Sequence, residues 1–264
     1  MSENRVLKEY GESLEKLLHL KTYPLAIKLL EKEKDIPKEA IRPKRDYGYR
    51  LMTCQAFSES RRAGRIIAQT KDDMWCFEAA LGYGFIEPLP YFLEGNTRYP
   101  EGMISSWEAA KYWAKHFPRL ECGKYEAILS APLTKVSFEP DLVIVYGDSV
   151  QIQQLLTARI WIDGHDIAPR LSGMGVCVMA VTPVVQSGEC YVAVPCPGDR
   201  RRAFAQDDEF VFSIPMGRME GLIEGLNAYQ KIGLGTPMLP TMARQPEQLK
   251  SYTTIGKMVG MVDG

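Results

Sequence analysis

The chain reads as an α/β (α+β) protein, a mixed β-sheet covered by helices. Three observations predict this class. Short apolar runs of strand length alternate with amphipathic stretches at helical spacing along most of the sequence. A helix–strand–strand–helix order runs through residues 103–160 and recurs through 169–230, an internal repeat that fits one helix-covered sheet. A length of 264 residues, with 45% hydrophobic and 25% charged residues, suits one globular domain over 1–264. Within it, 1–100 forms an N-terminal helix and strand portion, the repeat halves follow, and 233–264 is a wrapping tail.

Taken in order, Val6, Leu7, Tyr10, Leu14, Leu17 and Leu18 make one helical stripe over residues 5–20. Tyr23-Pro24 ends it, and 25–30 is a buried strand. The Lys- and Pro-rich stretch 31–46 reads as a surface loop. A second helix covers 49–63 and carries Cys54, with Gly64 ending it and a short strand at 65–69. Thr70, Asp72 and Asp73 are plausible caps for a third helix through Leu81, which places Cys76 in or near its first turn. There, free backbone N–H groups and the helix dipole stabilise a thiolate. Residues 82–99, rich in Gly, Pro and aromatics, form a long ordered loop of the kind that lines sites.

Ser105-Ser106-Trp107-Glu108 resembles a capping box, and Trp107, Ala110, Trp113, Ala114 and Phe117 make the buried stripe of the helix it opens. Residues 123–132 and 141–146 are strands. Asp148 and Ser149 cap a helix through Leu155 and Leu156. In the second half, 188–197 matches 123–132, 208–213 matches the second strand, and Leu222-Ile223 matches Leu155-Leu156. Residues 172–185 take the place of the preceding helix. Cys196 then stands at a strand end where the first half has Ala131. The tail carries Pro237, Pro240 and Pro246, then a helical pattern around Ile255 and Met258.

Composition narrows the function. A net charge of −1 and the lack of an extended basic face argue against nucleic-acid binding. No apolar run reaches the roughly 18–20 residues of a membrane span, and the charged N-terminus is unlike a signal peptide. A cytoplasmic, non-membrane protein is expected, with reduced thiols. Six cysteines without a CxxC pair are then structural, metal-binding or catalytic. No HExxH, GxSxG, Walker A or GxGxxG pattern is present. Of three histidines, His19 and His116 close helices, and His165, between acids in a loop, is the acid–base candidate. Arg61, Arg200 and Arg201 are candidate binders of an anionic substrate. Cys122, Cys177 and Cys190 read as packing residues. Cys54, Cys76 and Cys196 occupy positions from which a sulfur can face a cleft, and a Cys-Pro pair such as 196–197 closes some ferredoxin cluster motifs.

The motifs YPLAIKLL, MTCQAFSESRRAG, DDMWCFEAALGYG, FEPDLVIVYGDSVQIQQLL and PCPGDRRRAFAQDDEFVFSIP resemble the DUF169 (ArCR) family, a prokaryotic group of unassigned function, over nearly the whole chain. The resemblance implies a recurring cysteine set that matches Cys54, Cys76, Cys177 and Cys196, and so promotes Cys177 above Cys190. The resulting expectation is an iron–sulfur protein, [4Fe–4S] if all four thiolates ligate, of redox or lyase type in anaerobic metabolism. Its partner is a small anionic molecule or a redox partner protein, and assembly into a homo-oligomer is left open. Two alternatives stand beside it. One is a metal-free thiol enzyme with Cys76 as nucleophile and Cys196 as resolving partner. The other is a non-catalytic binding or accessory protein whose cleft is lined by 82–99 and closed by the arginines.

Overall fold

The structure is a computed structural model that describes residues 3–237 and 249–261. In chain order its elements are α1 (Glu3–Leu18), β1 (Leu25–Leu30), α2 (Thr53–Ala63), β2 (Ile67–Thr70), α3 (Phe77–Gly82), α4 (Pro90–Leu93), α5 (Trp107–His116), β3 (Ala127–Pro132), β4 (Leu142–Gly147) and α6 (Ser149–Asp163). Then come α7 (Val176–Met179), α8 (Thr182–Ser187), β5 (Tyr191–Ala193), α9 (Pro197–Ala203), β6 (Phe210–Pro215), α10 (Met219–Lys231) and α11 (Lys250–Met258). No helix among the described residues is long and apolar enough to cross a membrane.

The six strands form one sheet in the order β2-β3-β1-β4-β6-β5. Side-chain alternation along these strands splits the core into two layers. On one face Ala26, Ala131, Val143, Val145, Phe212 and Ile214 pack beneath α1, α6 and α10. On the other, Leu25, Ile27, Ile128, Ile144, Tyr146 and Val211 meet Phe57 of α2, Ala79 and Leu81 of α3 and the α7 segment. Both faces are therefore covered, which explains why the central strands are almost entirely apolar rather than alternating apolar with polar. This second face carries the cysteines of interest.

Several expectations are corrected. The sheet is not mixed: every strand pair is antiparallel, and parallel contact among the described residues is confined to the isolated bridges Ile41–Ile67 and Leu51–Met74. The halves 103–160 and 169–230 share an element order but not an arrangement. β1 inserts between β3 and β4, pairing antiparallel with both, so those two strands run parallel to each other. β5 and β6 are instead adjacent and antiparallel. The strand expected over 188–197 shrinks to three residues, because Pro197 opens α9 from its first position, where a fixed φ and a missing N–H suit a helix start.

Smaller differences have local causes. Ser106, not Ser105, caps α5 by accepting from the Ala109 N–H at 3.1 Å. In the stripe of α5, Ala110 and Ala114 are buried, but Trp107 is exposed. The loop 31–46 contains short helical turns at Glu33–Asp35 and Pro43–Tyr47. The loop 82–99 contains α4. Asp148 caps α6 as expected, accepting from the N–H groups of Val150 and Gln151. In the tail, Pro240 and Pro246 lie outside the described residues, and α11 covers the pattern around Ile255 and Met258.

Candidate thiol centre

Four of the six cysteines stand at the starts of helical segments on one face of the sheet. Cys54 is the second residue of α2, and Cys177 the second residue of α7. Cys76 and Cys196 are the residues that immediately precede α3 and α9. These segments touch: α2 packs on α7 and α9, and α3 packs on α7. The four thiols are close enough to act on one another electrostatically. Cys54 feels Cys196 and Cys76, and Cys177 feels the other three.

Cys76 and Cys177 act most strongly on one another. Hydrogen bonding from the Cys177 thiol holds Cys76 below the ordinary thiol range, against the opposing effect of burial. The Ala79 N–H and the charges of Arg98 and Arg202 act in the same direction. The same contact, together with burial, pushes Cys177 well above that range. Burial raises Cys54 strongly too, with the Asp199 carboxylate adding to the effect and the Gln55 N–H opposing it. Two buried hydrogen bonds lock α3 to α7. Tyr83 Oη donates to the Cys177 carbonyl at 2.9 Å, and Thr182 Oγ1 donates to the Gly82 carbonyl at 3.0 Å. Gly82 itself lies against Val178, where a side chain would collide.

Beside the thiols lies a polar cluster that sequence reasoning assigned differently. The structure commits Arg61 to internal partners. Its guanidinium is 1% exposed, forms a bidentate pair with Glu209 at 2.9 and 3.1 Å, and stacks 3.9 Å above the Tyr146 ring. Tyr146 Oη in turn donates to Asp199 Oδ2 at 3.2 Å. Burial lifts the Asp199 carboxyl to about 6 despite Arg61 and the tyrosine hydroxyl. Arg200 donates to the Gln206 carbonyl, Arg201 is exposed on α9, and neither lines a cleft that reaches Cys76.

His165 is likewise separated from Cys76. It is exposed beside Asp163 at 3.2 Å and lines a cleft of about 740 Å³ with Arg159, Glu189, Cys190 and Arg218, and none of the four clustered cysteines lines that cleft. Cys190 is buried, which pushes it up to about 12, and Cys122 is exposed elsewhere. Two residues were missed. Arg98 is held by an ion pair with Glu78 and lies 4.7 Å from the Trp113 ring, within the fields of Cys76 and Cys196. Asp199 sits in the first turn of α9. Arg98 lies in an aperiodic loop with no signal in the sequence, whereas Asp199 follows Cys-Pro-Gly, a pattern that does mark a helix start.

Among the described residues, no three His, Cys, Asp or Glu side chains converge as they would around a single metal ion. The four sulfurs on one face are of the donor type that iron–sulfur clusters take.

The comparisons with known proteins bear on kinship. Residues 13–225 match the family described as DUF169, uncharacterised ArCR. The chain belongs to this family. It is also similar to an uncharacterized protein, MJ0308, of Methanocaldococcus jannaschii, at 23% identity over 233 residues, covering 86% of this chain and 96% of that protein. No solved structure matches.

Proposed function

We propose that this DUF169 protein is a cysteine-ligated iron–sulfur protein, and that Cys54, Cys76, Cys177 and Cys196 hold the cluster. The observation that carries the reading is the gathering of these four thiols, from segments up to 142 positions apart, on one sheet face, while Cys122 and Cys190 stay apart. When bound by all four, a [4Fe–4S] cluster supplies one-electron chemistry, and when bound by three it offers a Lewis-acidic iron to a small anionic substrate. The protein's own part is to hold the sulfurs on helical starts, where the Ala79 and Gln55 N–H groups face Cys76 and Cys54. Arg98 and Arg202 place positive charge beside Cys76, which offsets the negative charge of grouped thiolates. This arrangement suits an oxidoreductase or lyase of anaerobic metabolism.

Anaerobic purification tests it. Brown protein with about four iron and four sulfide per chain is expected. Cys54→Ser and Cys177→Ser should each lose most of that iron, and Cys122→Ser none. Colourless wild-type protein after anaerobic reconstitution would sink the proposal.

A second reading rests on the hydrogen bond from Cys177. It favours a Cys76 thiolate, and so a metal-free thiol enzyme in which Cys177, more than Cys196, is the neighbouring sulfur. Selective alkylation of Cys76 near pH 7 in iron-free wild-type protein would support it.

A further inference from the structure

Cys76 stands in the wall of an open cleft of about 320 Å³, with Lys71, Met74, Trp75, Phe77 and Ile86 around it. Phe77 and Ile86 also line a second cleft of about 240 Å³, whose other walls include Leu81, Leu89, Tyr91 and Phe92. The shared side chains join the two into one trough that runs from Cys76 along α3 toward α4. Its volume lies within the ~300–1,000 Å³ of small-molecule sites. Several of its walls are apolar yet exposed: Trp75 is 69% exposed, Tyr91 63% and Leu89 59%. Apolar side chains grouped in this way mark a binding surface more often than scattered ones do.

Lys71 lines the cleft that holds Cys76 and makes no ion pair with another described residue. The second cleft presents only apolar surface. A cation beside one cleft, with aromatic and aliphatic walls leading into the other, selects a ligand with one negative end and an apolar body.

We infer that the trough binds a small monocarboxylic acid with an aromatic or branched apolar body, its carboxylate toward Lys71 and its body along Phe77 and Ile86. The end that holds Lys71 also holds Cys76, so the carboxylate end is the part of the ligand presented to the thiol centre. Binding of this acid rests on the trough and does not require iron.

Calorimetric titration of the full chain with phenylacetate tests the inference, with iron content recorded for each preparation. Saturable binding of one molecule per chain is expected. 2-Phenylethanol, which lacks the charge, should bind at least about tenfold more weakly. Lys71→Met and Phe77→Ala, both at exposed positions, should each weaken phenylacetate by about tenfold with unchanged thermal unfolding. Lys71→Met alone decides the matter if Phe77→Ala fails to fold. No saturation by wild-type protein up to about 10 mM would overturn the inference, as would equal affinity for the alcohol or unchanged affinity in Lys71→Met. Self-association that Trp75→Ala abolishes would overturn it in favour of a second copy on this face. Colourless protein that binds the acid leaves this inference standing and overturns the cluster alone.

Discussion

Arg61→Met separates a structural arginine from a ligand-binding one. The substitution removes a guanidinium that is 1% exposed and leaves the Glu209 carboxylate, 7% exposed, without its bidentate partner. Breaking a buried pair from one side costs about 3–5 kcal/mol, because the remaining charge stays out of water. Loss of the cation over Tyr146 at 3.9 Å adds about 0.5–2 kcal/mol. For a chain of this size, 1 kcal/mol moves Tm by about 2–4 °C, so a fall of roughly 7–28 °C is expected. Urea denaturation followed by circular dichroism gives the free energy directly. Adding Glu209→Met to the variant should recover much of the loss, since an apolar pair replaces an orphaned charge. Arg61→Met within about 1 kcal/mol of wild type, or a double variant as unstable as the single one, would refute the reasoning. A ligand-binding arginine would lose affinity and leave stability unchanged.

Two further outcomes follow from the same region. The Asp199 carboxyl is raised from 3.8 to about 6, so the folded state keeps a proton that the unfolded chain has already released. Stability is then complete below about pH 4 and falls as pH rises to about 6, by roughly 3 kcal/mol. In metal-free, reduced protein, Asp199→Asn should remove that fall and be more stable than wild type at pH 8, and an unaltered pH profile of the urea midpoint counts against it. Gly82→Ala places a methyl group 2.7 Å from Val178 Cγ2, between the helices that carry Cys76 and Cys177. A loss of about 1–3 kcal/mol and reduced iron uptake are expected, and a fully stable variant with wild-type iron content would show that α3 and α7 tolerate separation.

Local structure was readable from the chain because its causes are local. The strand 25–30, the end of α2 at Gly64 and the Asp148 cap all rest on residues within a turn of one another. Cys76 does stand at the start of α3, but Thr70, Asp72 and Asp73 do not cap that helix, because they belong to a separate short turn before it. The insertion of β1 between β3 and β4 had no such signal. Strand partners are chosen by backbone hydrogen bonds that any apolar strand can make, so an order along the chain looked like a repeat. At Cys196 the local reading failed for a nearby reason: Pro197 read as a strand's end, although it was a helix's beginning.

The sequence by itself determined most of the longer helices and the strands 25–30 and 142–147, and which family the chain belongs to. It also carried the four cysteines, though only kinship distinguished Cys177 from Cys190. The tertiary structure decided that Cys54, Cys76, Cys177 and Cys196 act on one another, that Arg61 is spent on Glu209 148 positions away, and that Arg98 stands by the thiols. The physical reason is range. Propensity, capping and periodicity act over a few residues, whereas charge, burial and hydrogen bonding act through space between segments that only the sheet brings together.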